Sequence, residues 1–462
     1  MSRKVLDLIV QGLACELVNQ QAGLEVSTVV IDSRLAGAGS LFVACDGEHV
    51  DGHDFVVDAF ERGASAAVID AAHPQAKDLA GYAVKHGKVL IRSDSPRQTL
   101  GDMAAKYRAQ LTCTVIGITG SSGKTTTKSL MPDLLRAKYR VAASPKNFNN
   151  DLGVPLCIFE IDAEDEVAIL EMGMNHAGEL TRLAEIARPD MAVITNIGDA
   201  HIEFFKDRKA IALAKKEIFA YFNAGNIAIL NRDDPFFDLL AEGLSGEIIS
   251  FTKCHGFSVV EDHGIGGYTL RLGKSTVLFP MGGEHNLYNV SAAIAAAQRL
   301  SLTESDLAGA LNRVRNVDAR TTVVSGRHTI IDDTYNANPD SMRAALRLLA
   351  KKSEAHDKRP RIAVLGDMFE LGGQSDALHA ELGCWISEHA VCNVLVTVGA
   401  AMQHCAAAAD ADEGSLKVVA FNSTEEAGEW LRSNIREEAV ILLKGSRGMR
   451  MERILPFVTY DV

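Results

Sequence analysis

The sequence predicts an α/β protein of three domains: a small N-terminal α/β domain, a central parallel sheet with helices on both faces, and a C-terminal doubly wound domain. Three observations lead there. Short apolar runs alternate with segments of helical periodicity over most of the chain. Several runs stop at Gly, Asp or Glu, as strands do where a sheet opens on a ligand crevice. One stretch, Val115-Ile-Gly-Ile-Thr-Gly-Ser-Ser-Gly-Lys-Thr-Thr-Thr127, passes from an apolar strand through a glycine-rich turn to Lys124 and a helix.

A chain of 462 residues accommodates roughly three domains with cores of their own. Their expected extents are 1–92, 93–317 and 318–462. The balance of 47 basic against 60 acidic side chains, a formal net charge of −13, argues against a nucleic-acid partner while leaving room for a local phosphate pocket. The start, Met-Ser-Arg-Lys-Val-Leu-Asp, has no apolar core of a signal peptide, and runs such as Ala292 to Ala297 are too short for a membrane span. Eight cysteines without a C-x-x-C pair read as reduced thiols of a cytoplasmic protein rather than disulfides or zinc ligands.

In the first domain, Ser27-Thr-Val-Val-Ile-Asp-Ser-Arg34 and Gly39-Ser-Leu-Phe-Val-Ala44 read as short strands with polar loop ends, and Asp51-Gly-His-Asp-Phe55 as a turn. Arg34 suits either a diphosphate or a surface ion pair. A helix from about Pro96 to Gln110 opens the second domain.

In the glycine-rich stretch, Val115, Ile116 and Ile118 mark a buried strand, and Leu130, Leu134 and Leu135 the apolar face of the following helix. Gly120 and Gly123 permit a tight turn, so the N–H groups of residues 120 to 126 can cradle a phosphate; an ordinary turn and helix cap is the plainer alternative. Lys124 adds a charge, and Thr125 and Thr126 add hydroxyls for phosphate and Mg2+. Ile118 stands where the usual G-x-x-x-x-G-K-[ST] loop has its first glycine, so the shorter T-G-x-x-G-K-T form is met, which points away from generic motors and GTPases.

Two further strand ends carry polar groups. Val167-Ala-Ile-Leu-Glu171 delivers a carboxylate where a P-loop ATPase-type sheet keeps an acid for Mg2+ or water, and Met191-Ala-Val-Ile-Thr-Asn-Ile-Gly-Asp-Ala-His201 ends in a histidine that suits either a ligand or a structural role. Ile211 to Phe222 fits one helix. At roughly 100° per residue, Lys215 falls in the stripe of Ile211, Ile218, Phe219 and Phe222, where a lysine must snorkel, pair, lose its proton or be modified. Asn286 and Asn289 share one face at the start of an alanine-rich helix; amides there can read an adenine edge, and helix capping accounts for at most one of them.

The third domain opens with Asp318-Ala-Arg320 and the strand-to-loop stretch Thr329 to Asp340. Strands at Arg361–Gly366, Val394–Gly399 and from Ala439 complete a Rossmann-like, doubly wound pattern without G-x-G-x-x-G. Glu370, Asp376 and Glu381 read as a solvated face.

Taken together, these motifs resemble the Mur ligase family of cytoplasmic ATP-dependent amide ligases. The segments T-G-S-S-G-K-T-T (119–126), E-M-G (171–173), N-I-G-D-A-H (196–201), A-K-K-E-I-F (214–219) and H-N-L-Y-N (285–289) stand in the family's order. The segments N-F-N-N-D-L-G-V-P-L (147–156), D-D-T-Y-N-A-N-P (332–339) and K-G-S-R (444–447) are most similar to members that add D-alanyl-D-alanine to a UDP-N-acetylmuramoyl-tripeptide. The resemblance implies ATP held by Gly120, Ser121, Ser122, Gly123, Lys124, Thr125 and Thr126, with Asn286 and Asn289 at adenine and Arg320 and Asp333 reaching phosphate and ribose. It implies one Mg2+ at Thr125 and Glu171, a second that His201 helps to place, Lys215 as a metal ligand in carbamylated form, and a catalytic set of Lys124, Glu171, His201 and Lys215. Ser33 and Arg34 would hold the UDP end of the sugar nucleotide; Asn147, Asn149, Asn150, Tyr335, Asn336 and Asn338 would complete the substrate sites of a monomeric enzyme. Other amide ligases of the fold, such as folylpolyglutamate synthases, and a nucleotide-hydrolysing switch or motor are the competing readings.

Overall fold

Where strands are apolar on both faces a sheet must be covered on both sides, and the computed structural model, which describes residues 4–47, 50–145, 148–314, 322–351, 357–410 and 416–459, contains three such layered sheets. The first has the order Cys15–Val18, Val89–Ser93, Ala66–Asp70, Leu41–Val43, Val29–Val30, parallel except for the first pair. The strand expected before Arg34 is only Val29–Val30, because the Asp32 carboxylate accepts the Arg34 N–H and starts a 3-10 turn at Ser33–Leu35.

The central sheet is fully parallel, in the order Glu247–Phe251, Ile227–Asn231, Met191–Ile194, Thr114–Thr119, Val167–Glu171, Val141–Ala143. Thr114–Thr119 is thus the inner strand from which connections leave in both directions, a topological switch point. Its register sets Ile118 beside Glu171 and Thr119 beside Ile194, so three strand ends open on one crevice. A feature outside the expected parallel pattern follows: an antiparallel ribbon of Ser258–Asp262, Tyr268–Leu272 and Ser275–Phe279. Leu270 and Leu272 alternate with polar neighbours, so one face of the ribbon is buried, in a cluster shared with the helix Glu284–Arg299.

The helix expected over Ile211 to Phe222 is shorter. It runs Arg208–Lys216 and tightens to a 3-10 turn at Glu217–Phe219. Glu217 turns away to accept the N–H groups of Gly178 and Thr181, at the start of the helix Glu179–Ala187, and Lys216 donates to the carbonyls of Leu239 and Glu242. Lys215 is buried as the stripe predicted, 1% exposed, beside Ile211 and Ile218.

The third sheet has the order Thr322–Ser325, Thr329–Asp333, Val440–Lys444, Arg361–Gly366, Val394–Val398, Lys417–Phe421, parallel but for its first hairpin. Its alternating side chains enter two different apolar clusters, Ala363 and Leu365 on one face and Ile362 and Val364 on the other, as a doubly wound sheet requires.

The helix Pro96–Arg108, started by Ser95 and Pro96, joins the first two sheets. Leu100, Met103 and Tyr107 enter one cluster with Val43, Val68 and Ile91 of the first sheet and Ile158, Leu183 and Ala187 of the second unit. Arg108, 8% exposed, donates to the carbonyls of Ala187, Leu111 and Arg188 and to Asp190 Oδ2, which also accepts the N–H of Val115 at the root of the glycine-rich strand. Arg108→Met leaves these acceptors without their donor and is expected to lower unfolding free energy by about 3 kcal/mol. Urea unfolding followed by fluorescence checks this; Arg62→Met, which removes an exposed helical pair with Asp58, should cost less than about 1 kcal/mol.

Candidate active site

The glycine-rich loop is held from below by the next strand end. Asn196 accepts the Ser121 N–H on its carbonyl (3.0 Å) and the Ser122 N–H on Oδ1 (2.9 Å), and its Nδ2 donates to Ser122 Oγ. Thr195 Oγ1 donates to the Ser122 carbonyl at 2.6 Å, and Ser121 Oγ both accepts from Gly198 N–H and donates to its carbonyl. This corrects one expectation: the Ser121 and Ser122 amides are spent on the loop's own support. The helix Lys124–Leu135 then begins at the cavity, and a helix N-terminus presents N–H donors to an anion. Gly120 and Gly123 have φ of +151° and +78°, and a Cβ would lie 1.9 Å from Thr195 Oγ1 at Gly120 and 2.2 Å from Asn289 Oδ1 at Gly123. Lys124 Nζ lies back over the loop on the Gly120 carbonyl at 2.6 Å.

Behind the loop, Glu171 is fully buried. Its carboxylate accepts from Thr125 Oγ1 (3.0 Å) and Asn149 Nδ2 (3.0 Å), and Lys128 Nζ is 3.2 Å from Oε2. Lys128 was not singled out by the sequence reading; its signal is a position four residues after Lys124, on the same helix face. Thr125 with Glu171 offers the hard oxygen donors that Mg2+ takes together with nucleotide phosphates and water.

His201, with a left-handed φ of 64°, meets Glu370 from the C-terminal domain at 2.6 Å (Nδ1 to Oε2). Glu370 is exposed, as a solvated face would be, but it also lines the cavity: its own φ is 60°, its carbonyl accepts the Glu203 N–H, and the His201 contact holds its carboxyl below the usual range. Burial lowers the pKa of His201 against the pull of Glu370. Burial, and secondly Lys124, push Lys215 well below the ordinary lysine value; among the described residues no acceptor takes a hydrogen bond from its Nζ. His285 is pushed down to about 4 by burial and then by Lys444 and Lys351.

A cavity of about 1230 Å3 joins these elements. It is lined by Ser121 to Lys124, Thr126, Asn149, Asn150, His201 and Asn289 from the central part, and by Asp333, Tyr335, Asn336 and Asn338 from the C-terminal part. Asp333 Oδ2 accepts from buried Lys444 Nζ at 2.6 Å; Asn338 caps the helix Pro339–Ala350, and Asn150 Oδ1 accepts the Gly153 N–H at the start of the helix Gly153–Phe159. Asp199 and Asp340 flank Arg208, a charge cluster that the sequence left unmarked because Asp340 is far in the chain from the other two.

Other expected residues lie elsewhere. Thr125, Glu171 and Lys215 sit behind the cavity wall. So does Asn286, whose Nδ2 donates to the Gly282 carbonyl and whose Oδ1 accepts from Asn289; Gly283 is the cap residue of their helix, so capping accounts for neither side chain. Arg34 is exposed and paired with Asp32, the plainer of its two readings, and neither it nor buried Ser33 reaches the cavity. Asn147 and Arg320 lie outside the described residues.

Among the described residues one trio, Asp51, His53 and His73, has ligand atoms within 4.8 Å of one another. Hydrogen bonding accounts for it without a metal. His53 Nε2 accepts the Asp70 N–H and His73 Nδ1 the Gln75 N–H, so both rings donate their remaining proton to Asp51. Burial would raise the Asp51 carboxyl; the His53 backbone N–H and the two rings hold it at about 2.

Because its Cβ meets Asn289 and its φ disfavours any side chain, Gly123→Ala must displace the loop. We expect at least about a tenfold loss of ADP affinity, corresponding to about 1.4 kcal/mol. Calorimetric titration checks it, with Gly81→Ala, where a Cβ meets nothing within 4 Å, as the silent control.

Three family models match the chain in succession: Mur ligase family, catalytic domain, over 25–108; Mur ligase middle domain over 118–297; and Mur ligase, glutamate ligase domain, over 319–447. A Treponema pallidum protein named UDP-N-acetylmuramoyl-tripeptide–D-alanyl-D-alanine ligase is 34% identical over 93% of each chain. The crystal structure of MurF from Acinetobacter baumannii superposes with a TM-score of 0.85 at 29% identity, over 99% of this chain and 98% of that one. That of MurF ligase from Thermotoga maritima in complex with ADP gives 0.77 at 28% identity, over 94% and 97%. On this fold, these matched segments and this identity, the chain belongs to the Mur ligase family.

Proposed function

We propose that the protein is the ATP-dependent ligase that joins D-alanyl-D-alanine to UDP-N-acetylmuramoyl-tripeptide, giving the pentapeptide precursor of peptidoglycan in the cytoplasm. The observation that carries this reading is the shared cavity: a phosphate-type loop on one wall and the Asp333–Asn338 loop of another sheet on the opposite wall. A nucleotide switch has no need of that second wall. The relatives named above supply the substrate class.

A carboxylate is a poor acyl donor, so its oxygen attacks the γ-phosphorus of ATP; ADP leaves and an acyl phosphate forms. The amine of the dipeptide then attacks the acyl carbon, loses a proton, and phosphate departs. Lys124 and the helix N-terminus neutralise the oxygens that gain charge in the first step. Thr125 and Glu171 would hold one Mg2+ and His201 would help to place a second, with Lys215 as a metal ligand, and the ions would supply further charge neutralisation to the phosphoryl group. Asn289 would face the adenine, with Asn286 fixing its amide from behind. Asp333, anchored by Lys444, would take the ribose, and Asn149, Asn150, Tyr335, Asn336 and Asn338 the substrates. Lys215 would carry a carbamate: a buried amine with no acceptor among the described residues is neutral enough to add to carbon dioxide, and the product is anionic.

Phosphate release should require both the UDP-muramoyl-tripeptide and D-alanyl-D-alanine; a steady release undiminished without the dipeptide would refute the ligase reading. For the carbamate, Lys215→Ala should lose at least about 100-fold in kcat, the scale on which deletion of one electrostatic group is felt. Acetate or propionate should restore part of it, and an alanine variant of normal activity would exclude the modified lysine.

A further inference from the structure

Lys128 has no part in the reading above. Its side chain is 5% exposed and that of Glu171 0%, and the two are 3.2 Å apart. Two lysines one turn apart, Lys124 and Lys128, repel on the first turns of one helix, and a buried cation there is costly without an opposite charge. Glu171 supplies that charge. Lys124 lies at the cavity, Lys128 behind its wall. The same carboxylate also accepts from Thr125 and Asn149.

We propose that Lys128 is the positioning residue of this carboxylate: a built-in counter-cation that balances buried Glu171 until the nucleotide arrives, so that the divalent ion enters with the phosphates and not before them. Without nucleotide, an approaching metal ion meets an ammonium already against Oε2 and a carboxylate whose charge it balances. The phosphates of ATP add the negative charge that makes a second cation favourable there. The inference rests on the reading of Glu171 as a Mg2+ ligand, and its test separates the two.

The probe is Mn2+, followed by the loss of its free-ion electron paramagnetic resonance signal, with and without ADP. Wild-type protein should bind Mn2+ much more tightly with ADP than without. Lys128→Met should bind Mn2+ without nucleotide at least tenfold more tightly than wild type, whereas Lys128→Arg, which keeps the charge, should match wild type. Equal nucleotide-free affinity in Lys128→Met and wild type overturns the inference. If Lys128→Met does not fold, the double variant Lys128→Met/Glu171→Gln should recover a cooperative melt, since its pair is neutral; failure to recover overturns charge balance as the role of Lys128. Glu171→Gln alone should weaken Mn2+ binding with ADP, and wild-type affinity there overturns the ligand reading and the inference with it.

Discussion

The register of one strand governs the cleft. Thr114–Thr119 is hydrogen-bonded on both sides by parallel partners, and the pairing sets Ile118 opposite Glu171 and Thr119 opposite Ile194. A slip by one residue would send every side chain of that strand to the wrong face of the sheet. It would also separate the loop from Glu171 and from Asn196, which supports it. The loop is therefore rigid before any ligand binds: its amides and hydroxyls at Ser121 and Ser122 are tied to Asn196, Thr195 and Gly198. Preorganisation of this kind lowers the cost of ordering a phosphate site at the moment of binding.

Charge placement follows from burial. Among the described residues four lysines, Lys4, Lys128, Lys215 and Lys444, lie almost out of reach of water, and Lys4 donates to the Ser27 carbonyl and lies over the Tyr107 ring. Lys128 and Lys444 each meet a carboxylate, Glu171 and Asp333, while Lys215 meets none among the described residues. A paired buried cation is a structural element; an unpaired one calls for chemistry. Lys444 also donates to the Asn336 carbonyl, so one ammonium fixes the start and the middle of the loop that forms the far wall of the cavity.

That wall meets the central part through one apolar cluster, which takes in Ile265 of the central part and Leu348 and Leu349 of the third, and through polar contacts. His201 meets Glu370, Arg208 meets Asp340, and Lys351 donates to Asp262 and to the Tyr268 hydroxyl on the antiparallel ribbon. Partly exposed ion pairs are individually weak. On the N-terminal side, the helix Pro96–Arg108 enters the same apolar cluster with both neighbouring sheets and is pinned by Arg108.

The sequence by itself determined the strands of the main sheets, the glycine loop, the strand end at Glu171, the burial of Lys215 and the family, because each is written in contiguous residues: period-two or period-3.6 apolarity, turn chemistry, or a short motif. Where it went astray, a side chain made a contact that no local pattern records. Glu217 left the helix expected to reach Phe222 in order to cap a neighbouring one, and Asn286 turned inward to Gly282. Only the tertiary structure decided that Glu370 belongs to the cleft, that Asn196 supports the loop and that Lys128 balances Glu171. Those partners come from different strands and domains, and the free energy of a buried charge depends on what the fold brings within about 4 Å of it rather than on its neighbours in the chain.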